Sequence, residues 1–116
     1  MIVGWGLNDN FVLNSEFPKM IQVPIVSEGT CLRSHPVILK ISSERTFCAG
    51  SKNGEGPCQG DSGGGLLLKK GDKWYLRGLV SASPSDGTSH KPCDHCSFVL
   101  FTDVAKFKIW IRLNAQ

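Results

Sequence analysis

The stretch Pro57-Cys58-Gln59-Gly60-Asp61-Ser62-Gly63-Gly64 places a serine in a glycine-rich turn next to a cysteine. Glycine lets the backbone approach a ligand closely, because it has no β-carbon. Backbone N–H groups exposed in such a turn can bind an oxyanion, and a serine hydroxyl beside them can act as a nucleophile. The stretch therefore indicates half of the machinery for acyl transfer. The other half is a general base, which must lie elsewhere.

Strands are predicted on the C-terminal side of this turn. Residues 66–70 and 73–82 read as a hairpin, because they flank the turn dipeptide Gly71-Asp72. A loop rich in serine, glycine, proline and cysteine follows, and residues 98–102 then form an apolar strand. This half of the chain is therefore expected to be built from short β-strands.

The N-terminal side has the same character. Ile2-Val3 resembles the end of a strand, and residues 17–26 are predicted as one strand because apolar residues alternate along them. Pro24 places that strand at an edge or a bulge, since proline cannot donate to a sheet. Phe47-Cys48-Ala49 is a further short strand. Thirteen glycines and six prolines divide the sequence into short segments, which favours an all-β fold.

Two helices are predicted from their capping residues. Ser27 can cap a short helix that runs through Cys31. Asp103 can cap a C-terminal helix, in which apolar residues recur at helical spacing at Val104, Phe107 and Ile111.

Composition limits the possible partners. The 116 residues suffice for one small domain, and the net charge is only +3. Lysines and arginines are scattered, so no nucleic-acid partner is expected. No apolar run reaches membrane-spanning length, so no membrane partner is expected either.

The cysteines point to an oxidising compartment. Five of them, at positions 31, 48, 58, 93 and 96, occur in a small β-rich chain. The first residues lack the basic start and the long apolar run of a signal peptide. A chain that begins in the middle of a secreted protein would reconcile the two observations.

Six motifs in order resemble the chymotrypsin/trypsin family of serine endopeptidases. The serine stretch is similar to the family's nucleophile loop, and the others match its turn, strands, cysteine pair and closing helix. The five motifs other than the serine stretch are Gly4-Trp5-Gly6, Val23-Pro24-Ile25-Val26 with Cys31, Phe47-Cys48-Ala49-Gly50, Gly78-Leu79-Val80-Ser81 and Phe107-Lys108-Ile109-Trp110-Ile111.

The resemblance covers essentially the whole chain but only the second half of the family domain, which consists of two β-barrels. It implies an all-β fold: the C-terminal six-stranded barrel, incomplete at its start, with a C-terminal α-helix, over residues 1–116. The family order is His, then Asp, then Ser. The catalytic His and Asp are therefore expected upstream of this sequence, and the chain is expected to be an inactive fragment by itself. Its partners would be a polypeptide substrate, the missing N-terminal barrel and protein inhibitors.

The resemblance also assigns roles around the serine. Ser62 matches the nucleophile, and Gly60 and Ser62 match the residues whose N–H groups form the oxyanion hole. Asp61 matches the carboxylate that pairs with a new N-terminal ammonium after zymogen cleavage. Without that ammonium, the loop is expected to be mobile or zymogen-like.

The pocket positions depart from trypsin-like members. Gly56 falls at the floor of the specificity pocket, where those members carry an aspartate. Ser83 and Val99 fall at wall positions that are glycines in members with deep pockets, and Ser81 lies on the strand that lines the cleft. A narrow pocket for small or medium apolar side chains is expected.

The resemblance pairs Cys31 with Cys48, and Cys58 with Cys93, which leaves Cys96 over for an intermolecular bridge, a shuffled pair or a free thiol. The sequence also has three histidines, at positions 35, 90 and 95. Nothing in the sequence supports any of them as a replacement base. His90, Cys93, His95 and Cys96 could form a zinc site, but their crowded spacing is unlike paired zinc knuckles. The sequence thus predicts neither metal nor cofactor. A non-catalytic interaction fragment and a zinc module remain the alternatives.

Overall fold

A computed structural model describes residues 1–6, 17–51, 56–57, 61–84 and 98–115 of the chain. The strands are β1 (Ile2–Gly4), β2 (Lys19–Ile21), β3 (Ile25–Val26), β4 (Thr46–Ala49), β5 (Gly65–Lys70), β6 (Lys73–Ala82) and β7 (Val99–Asp103). The helices are α1 (Glu28–Ser34), α2 (Pro36–Ile41) and α3 (Lys108–Asn114), the last preceded by a 3₁₀ turn over Val104–Phe107. Among these residues, no helix has both the length and the apolar character needed to cross a bilayer.

The seven strands form one antiparallel sheet in the order β2-β1-β5-β6-β7-β4-β3. Its two edge strands, β2 and β3, are joined by only three residues, 22–24. A link of that length spans little more than about 10 Å, so the sheet must curl to bring its edges together. This confirms the predicted all-β half-barrel with a terminal helix.

The prediction of a single strand over residues 17–26 is wrong, because this segment contains two short edge strands, β2 and β3. The apolar alternation continues through the break and hides it in the sequence. Pro24 has no N–H to donate, but its carbonyl accepts from the N–H of Gly50 at 3.0 Å. The division of this segment gives seven strands among the described residues, where six were predicted.

Two apolar clusters lie on opposite faces of the sheet, because successive strand residues point to opposite sides. In β7, Val99 and Phe101 belong to the first cluster and Leu100 to the second. The first also contains Ile2, Ala49, Leu66 and Val80, and the second Cys31, Ile38, Cys48 and Phe98.

The helix predicted from Ser27 is confirmed, since the Ser27 hydroxyl accepts a hydrogen bond from the N–H of Thr30. A second helix, α2, was not predicted. His35 caps it, with Nδ1 accepting from the N–H of Val37 at 3.1 Å, and Pro36 occupies its first turn. Proline suits that position because the first N–H groups of a helix have no internal acceptor.

The predicted Cys31–Cys48 disulfide is present, and it ties α1 to β4 within the second cluster. Cys58, Cys93 and Cys96 lie outside the described residues. The disulfide and the second cluster, which contains Cys31 of α1 and Ile38 of α2, together fix both helices on one face of the sheet.

The C-terminal segment begins at Asp103, whose carboxylate accepts from the N–H of Ala105 and so caps the 3₁₀ turn as predicted. In α3, the side chains of Ile109, Trp110 and Leu113 are 76, 64 and 78% exposed. No residue of this helix is buried. These three apolar side chains are therefore mostly exposed in the described part of the chain.

Candidate active site

Ser62 is exposed at the turn that leads into β5. Within the described residues, neither its hydroxyl nor its backbone N–H has a hydrogen-bond partner. Both groups are therefore available to a ligand. A nucleophile needs a free hydroxyl, and an oxyanion site needs a free N–H.

The residues after Ser62 are fixed by backbone hydrogen bonds. The N–H of Gly63 donates to the carbonyl of Val80 at 2.8 Å, and the N–H of Val80 donates to the carbonyl of Gly64 at 2.9 Å. Gly63 has a φ of +82°, a conformation that side chains disfavour. The turn is thus anchored to β6, and its geometry requires glycine.

Asp61 is half-buried, and its carboxylate accepts a hydrogen bond from the N–H of Gly6 at 2.8 Å. Gly6 follows β1, so this bond joins two segments that are 55 residues apart in the chain. The sequence led us to expect a mobile or zymogen-like loop for lack of an ammonium partner, and that expectation stays a prediction. In the described structure, the backbone after β1 donates a hydrogen bond to the carboxylate.

The positions predicted to form the specificity pocket differ in exposure. Gly56 is half-buried, while Ser81 and Ser83 are exposed at the end of β6 and just beyond it. Val99 is only 5% exposed and packs in the first cluster with Val80. The anchored turn contacts the same strand, β6, that carries Ser81.

The chain matches the family model described as trypsin over residues 1–111. It belongs to the trypsin family of serine proteases. It is 37% identical to serine protease gd of Drosophila melanogaster over 108 residues, which cover 81% of this chain and 20% of that protein. It is 41% identical to spermosin of Halocynthia roretzi over 83 residues, 72% of this chain and 21% of that one.

A third relative, tryptase of Mus musculus, is 35% identical over 119 residues, which cover 96% of this chain and 41% of the tryptase. The trypsin-family chain thus spans between 20 and 41% of the length of these three relatives. Most of the length of each of these relatives lies outside the part that matches residues 1–116.

Several predicted site residues of this trypsin-family chain fall outside the described residues: Gly60, Cys58, Cys93, Cys96, His90 and His95. His35 lies within the described residues, and its Nδ1 accepts the hydrogen bond from the N–H of Val37 that caps α2. In the part of the chain that the structure covers, no three metal-binding side chains come together.

Sequence reasoning missed two long-range contacts, one of them at the candidate site. One is the bond from the Gly6 N–H to Asp61, and the other is an ion pair between Arg77 and Asp103. Arg77 also lies over the ring of Phe47, 4.5 Å from its centroid, and so ties β6 to β4 and β7. Both contacts join residues distant in sequence, so no local pattern could have indicated them.

The space around the Asp61 carboxylate excludes a side chain at Gly6. A β-carbon there would lie 2.5 Å from Cγ of Asp61, so the carboxylate would have to move away from the N–H that holds it. We expect Gly6→Ala to lower the free energy of unfolding by about 1–3 kcal/mol. Urea denaturation followed by circular dichroism measures this change.

Gly29→Ala is the matched control, because a β-carbon at Gly29 meets only the flexible end of Arg33 at 3.1 Å. Gly29 lies within α1, where alanine is favoured over glycine by up to about 1 kcal/mol. Equal effects of the two substitutions would contradict the role given to the Asp61 carboxylate.

Proposed function

We propose that this chain carries the nucleophile of a serine endopeptidase, with Ser62 as the attacking residue. One observation carries the proposal. The exposed Ser62 has an unengaged hydroxyl and N–H within the described residues, on a turn held by Val80 on one side and by the contact between Asp61 and Gly6 on the other. The chain's membership in a family of serine proteases supports the interpretation of Ser62 as a nucleophile.

The proposed reaction is acyl transfer in two stages. A general base takes the proton of the Ser62 hydroxyl as Oγ attacks the peptide carbonyl. The N–H groups of Gly60 and Ser62 stabilise the oxyanion that forms, and one such donor contributes about 3–4 kcal/mol. The protonated base then gives its proton to the leaving nitrogen, and collapse of the intermediate releases the amine and leaves an acyl-enzyme, which water hydrolyses to the acid and free Ser62.

We propose that the general base and its orienting carboxylate come from a companion barrel outside residues 1–116. The chain would then be the second barrel with the terminal helix. The exposed apolar side chains Ile109, Trp110 and Leu113 of α3 suit such a companion, because a cover of that kind removes them from water. The Cys31–Cys48 disulfide supports a secreted, extracellular parent protein.

The substrate proposal follows from the pocket positions. Gly56 offers no carboxylate for a basic side chain, while Ser83 and Val99 occupy space at the predicted walls. Peptides with small or medium apolar side chains are the proposed substrates. Protein inhibitors that present such a residue in an extended loop would be bound in the same way.

A fluorophosphonate probe reacts with serines that a base activates. It therefore tests whether Ser62 is the nucleophile and whether its base lies outside residues 1–116. We expect no labelling of the isolated 116-residue chain. A full-length protein that contains these residues should be labelled at Ser62, and the same protein with Ser62→Ala should not. Mass spectrometry of tryptic peptides identifies the labelled residue.

Labelling of the isolated chain at Ser62 would show that the base lies within residues 1–116. Absence of labelling in the full-length protein would instead favour a non-catalytic protease homologue that binds partners through this barrel. Stoichiometric zinc in the refolded chain would favour the zinc module, and a mapped Cys58–Cys93 disulfide would exclude it.

A further inference from the structure

The end of the β5–β6 hairpin extends beyond the rest of the sheet. β1 pairs with β5 only at Leu66, with Met1 bonded to Leu67, and β7 pairs with β6 only from Gly78 onward. From residue 68 to residue 76, the described strands pair only with each other. This two-stranded ribbon, residues 68–76, is the basic ribbon of the following paragraphs.

Three lysines surround the turn of the basic ribbon. Lys70 lies directly opposite Lys73, a like-charge pair that disfavours the isolated ribbon. Lys69 is the third, and no ion pair neutralises any of them within the described residues. Asp72 is the single carboxylate of the ribbon, so its end carries a net positive charge. An anionic partner would relieve this repulsion.

Aromatic rings accompany the lysines on both faces of the basic ribbon. Trp74 lies opposite Lys69, whose ammonium is 5.6 Å from its ring centroid, and the ammonium of Lys70 is 5.9 Å from the ring centroid of Tyr75. Because neighbouring strand residues alternate, Trp74 and Tyr75 project to opposite faces. Their side chains are 52 and 49% exposed.

This arrangement favours a flat partner over a linear one. A polymer lying along one face would meet only one of the two rings, whereas a surface approached by the turn would meet both rings and all three ammonium groups. The rings lie two and three residues beyond Asp72, about 7–10 Å from the turn, which matches the depth of a headgroup layer. Tryptophan and tyrosine favour that layer.

A groove of about 610 Å³, lined by both apolar and polar groups, opens beside Trp74. Leu67, Leu68 and Lys69 line one wall, and the link that joins the two sheet edges, residues 22–24, lines another. Acyl chain segments displaced by the ring would find apolar surface there.

We propose that the basic ribbon docks this protein, end on, to an anionic lipid bilayer surface. Lys69, Lys70 and Lys73 attract the lipid phosphates and carboxylates, and Trp74 and Tyr75 enter the headgroup layer. The expectation of no membrane partner rested on the lack of a spanning segment, which surface docking does not need. The proposal is independent of proteolytic activity.

Vesicle cosedimentation of the 116-residue chain tests the proposal. We expect binding to phosphatidylcholine vesicles that contain roughly a third phosphatidylserine, weak binding to pure phosphatidylcholine, and a loss of binding as salt rises toward about 0.5 M. Replacing Lys69, Lys70 and Lys73 by glutamate should weaken binding on the order of 100-fold, because each lysine contributes about fivefold or more. Tryptophan fluorescence should shift to shorter wavelength on binding, and Trp74→Phe should remove most of that shift.

The matched control replaces Lys106, Lys108 and Arg112, which are exposed in and near α3, by glutamate and so changes the net charge equally. It should retain binding. Equal losses in both triple variants, or a fluorescence shift that survives Trp74→Phe, would overturn the proposal. Retention on immobilised heparin without vesicle binding would also overturn it, in favour of a sulfated polysaccharide.

Discussion

A full-length protease that contains residues 1–116 is expected to cleave after alanine- or valine-sized residues about a thousand-fold faster, in kcat/KM, than after arginine or lysine. In the proposed pocket, the floor position Gly56 offers a basic side chain no carboxylate. Burying an unpaired charge costs several kcal/mol, and about 4 kcal/mol corresponds to a thousand-fold in rate. Ser83, which is exposed just beyond β6, would further restrict long side chains at the proposed wall.

Peptide substrates that differ only in the residue before the cleaved bond measure this preference. Gly56→Asp should raise cleavage after arginine and lysine, because it supplies the missing counter-charge. Gly56→Asn, which adds nearly the same volume without the charge, is the control and should not. A preference of the unmodified enzyme for arginine or lysine would refute the pocket assignment.

Phe101→Ala is expected to leave the isolated chain largely unfolded. Phe101 is 0% exposed at the centre of the first cluster, and its ring stacks on Phe47 with centroids 5.5 Å apart. Truncating a buried phenylalanine costs about 3–5 kcal/mol. That cost approaches the entire stability of a small domain, which is often only about 5 kcal/mol. Circular dichroism and urea titration measure the loss.

Phe17→Ala removes the same atoms from a side chain that is 73% exposed, and it should change the free energy of unfolding by less than about 1 kcal/mol. Phe101→Leu should give an intermediate loss, since it preserves part of the buried volume. Similar losses for Phe101→Ala and Phe17→Ala would mean that the first cluster does not hold the sheet together.

The sequence predicted the elements whose signals are local. Ser27 and Asp103 predicted the starts of helical segments, and Gly71-Asp72 predicted the hairpin. Such predictions succeed because capping and turn residues act on their immediate neighbours. The second helix was missed because His35 is an unusual cap, although Pro36 is common in a first turn. In the sequence, a proline that follows one helix fits a loop as well as it fits the first turn of a second helix.

The candidate site was less accessible to such patterns. The turn around Ser62 could be identified from its glycines, whereas its anchor at Gly6 could not, since no periodicity relates residues 55 positions apart. The break at Pro24 was hidden for a different reason. Apolar alternation describes which face a residue occupies, and both edge strands keep the same faces on either side of the link.

The strand order constrains when the sheet can form during synthesis. β1 can pair with β2, and β4 with β3, soon after these strands are made, but Ile2 pairs with Leu66 and Thr46 with Thr102 only after much more of the chain exists. A ribosome adds about 5–20 residues each second, so one side of β1 and one side of β4 stay unpaired for seconds. In contrast, β5 and β6 are neighbours in the chain and can close as soon as they emerge. The ribbon end of the hairpin therefore forms early, and the anchored turn at Ser62 gains its full set of neighbours only after most of the chain has been synthesised.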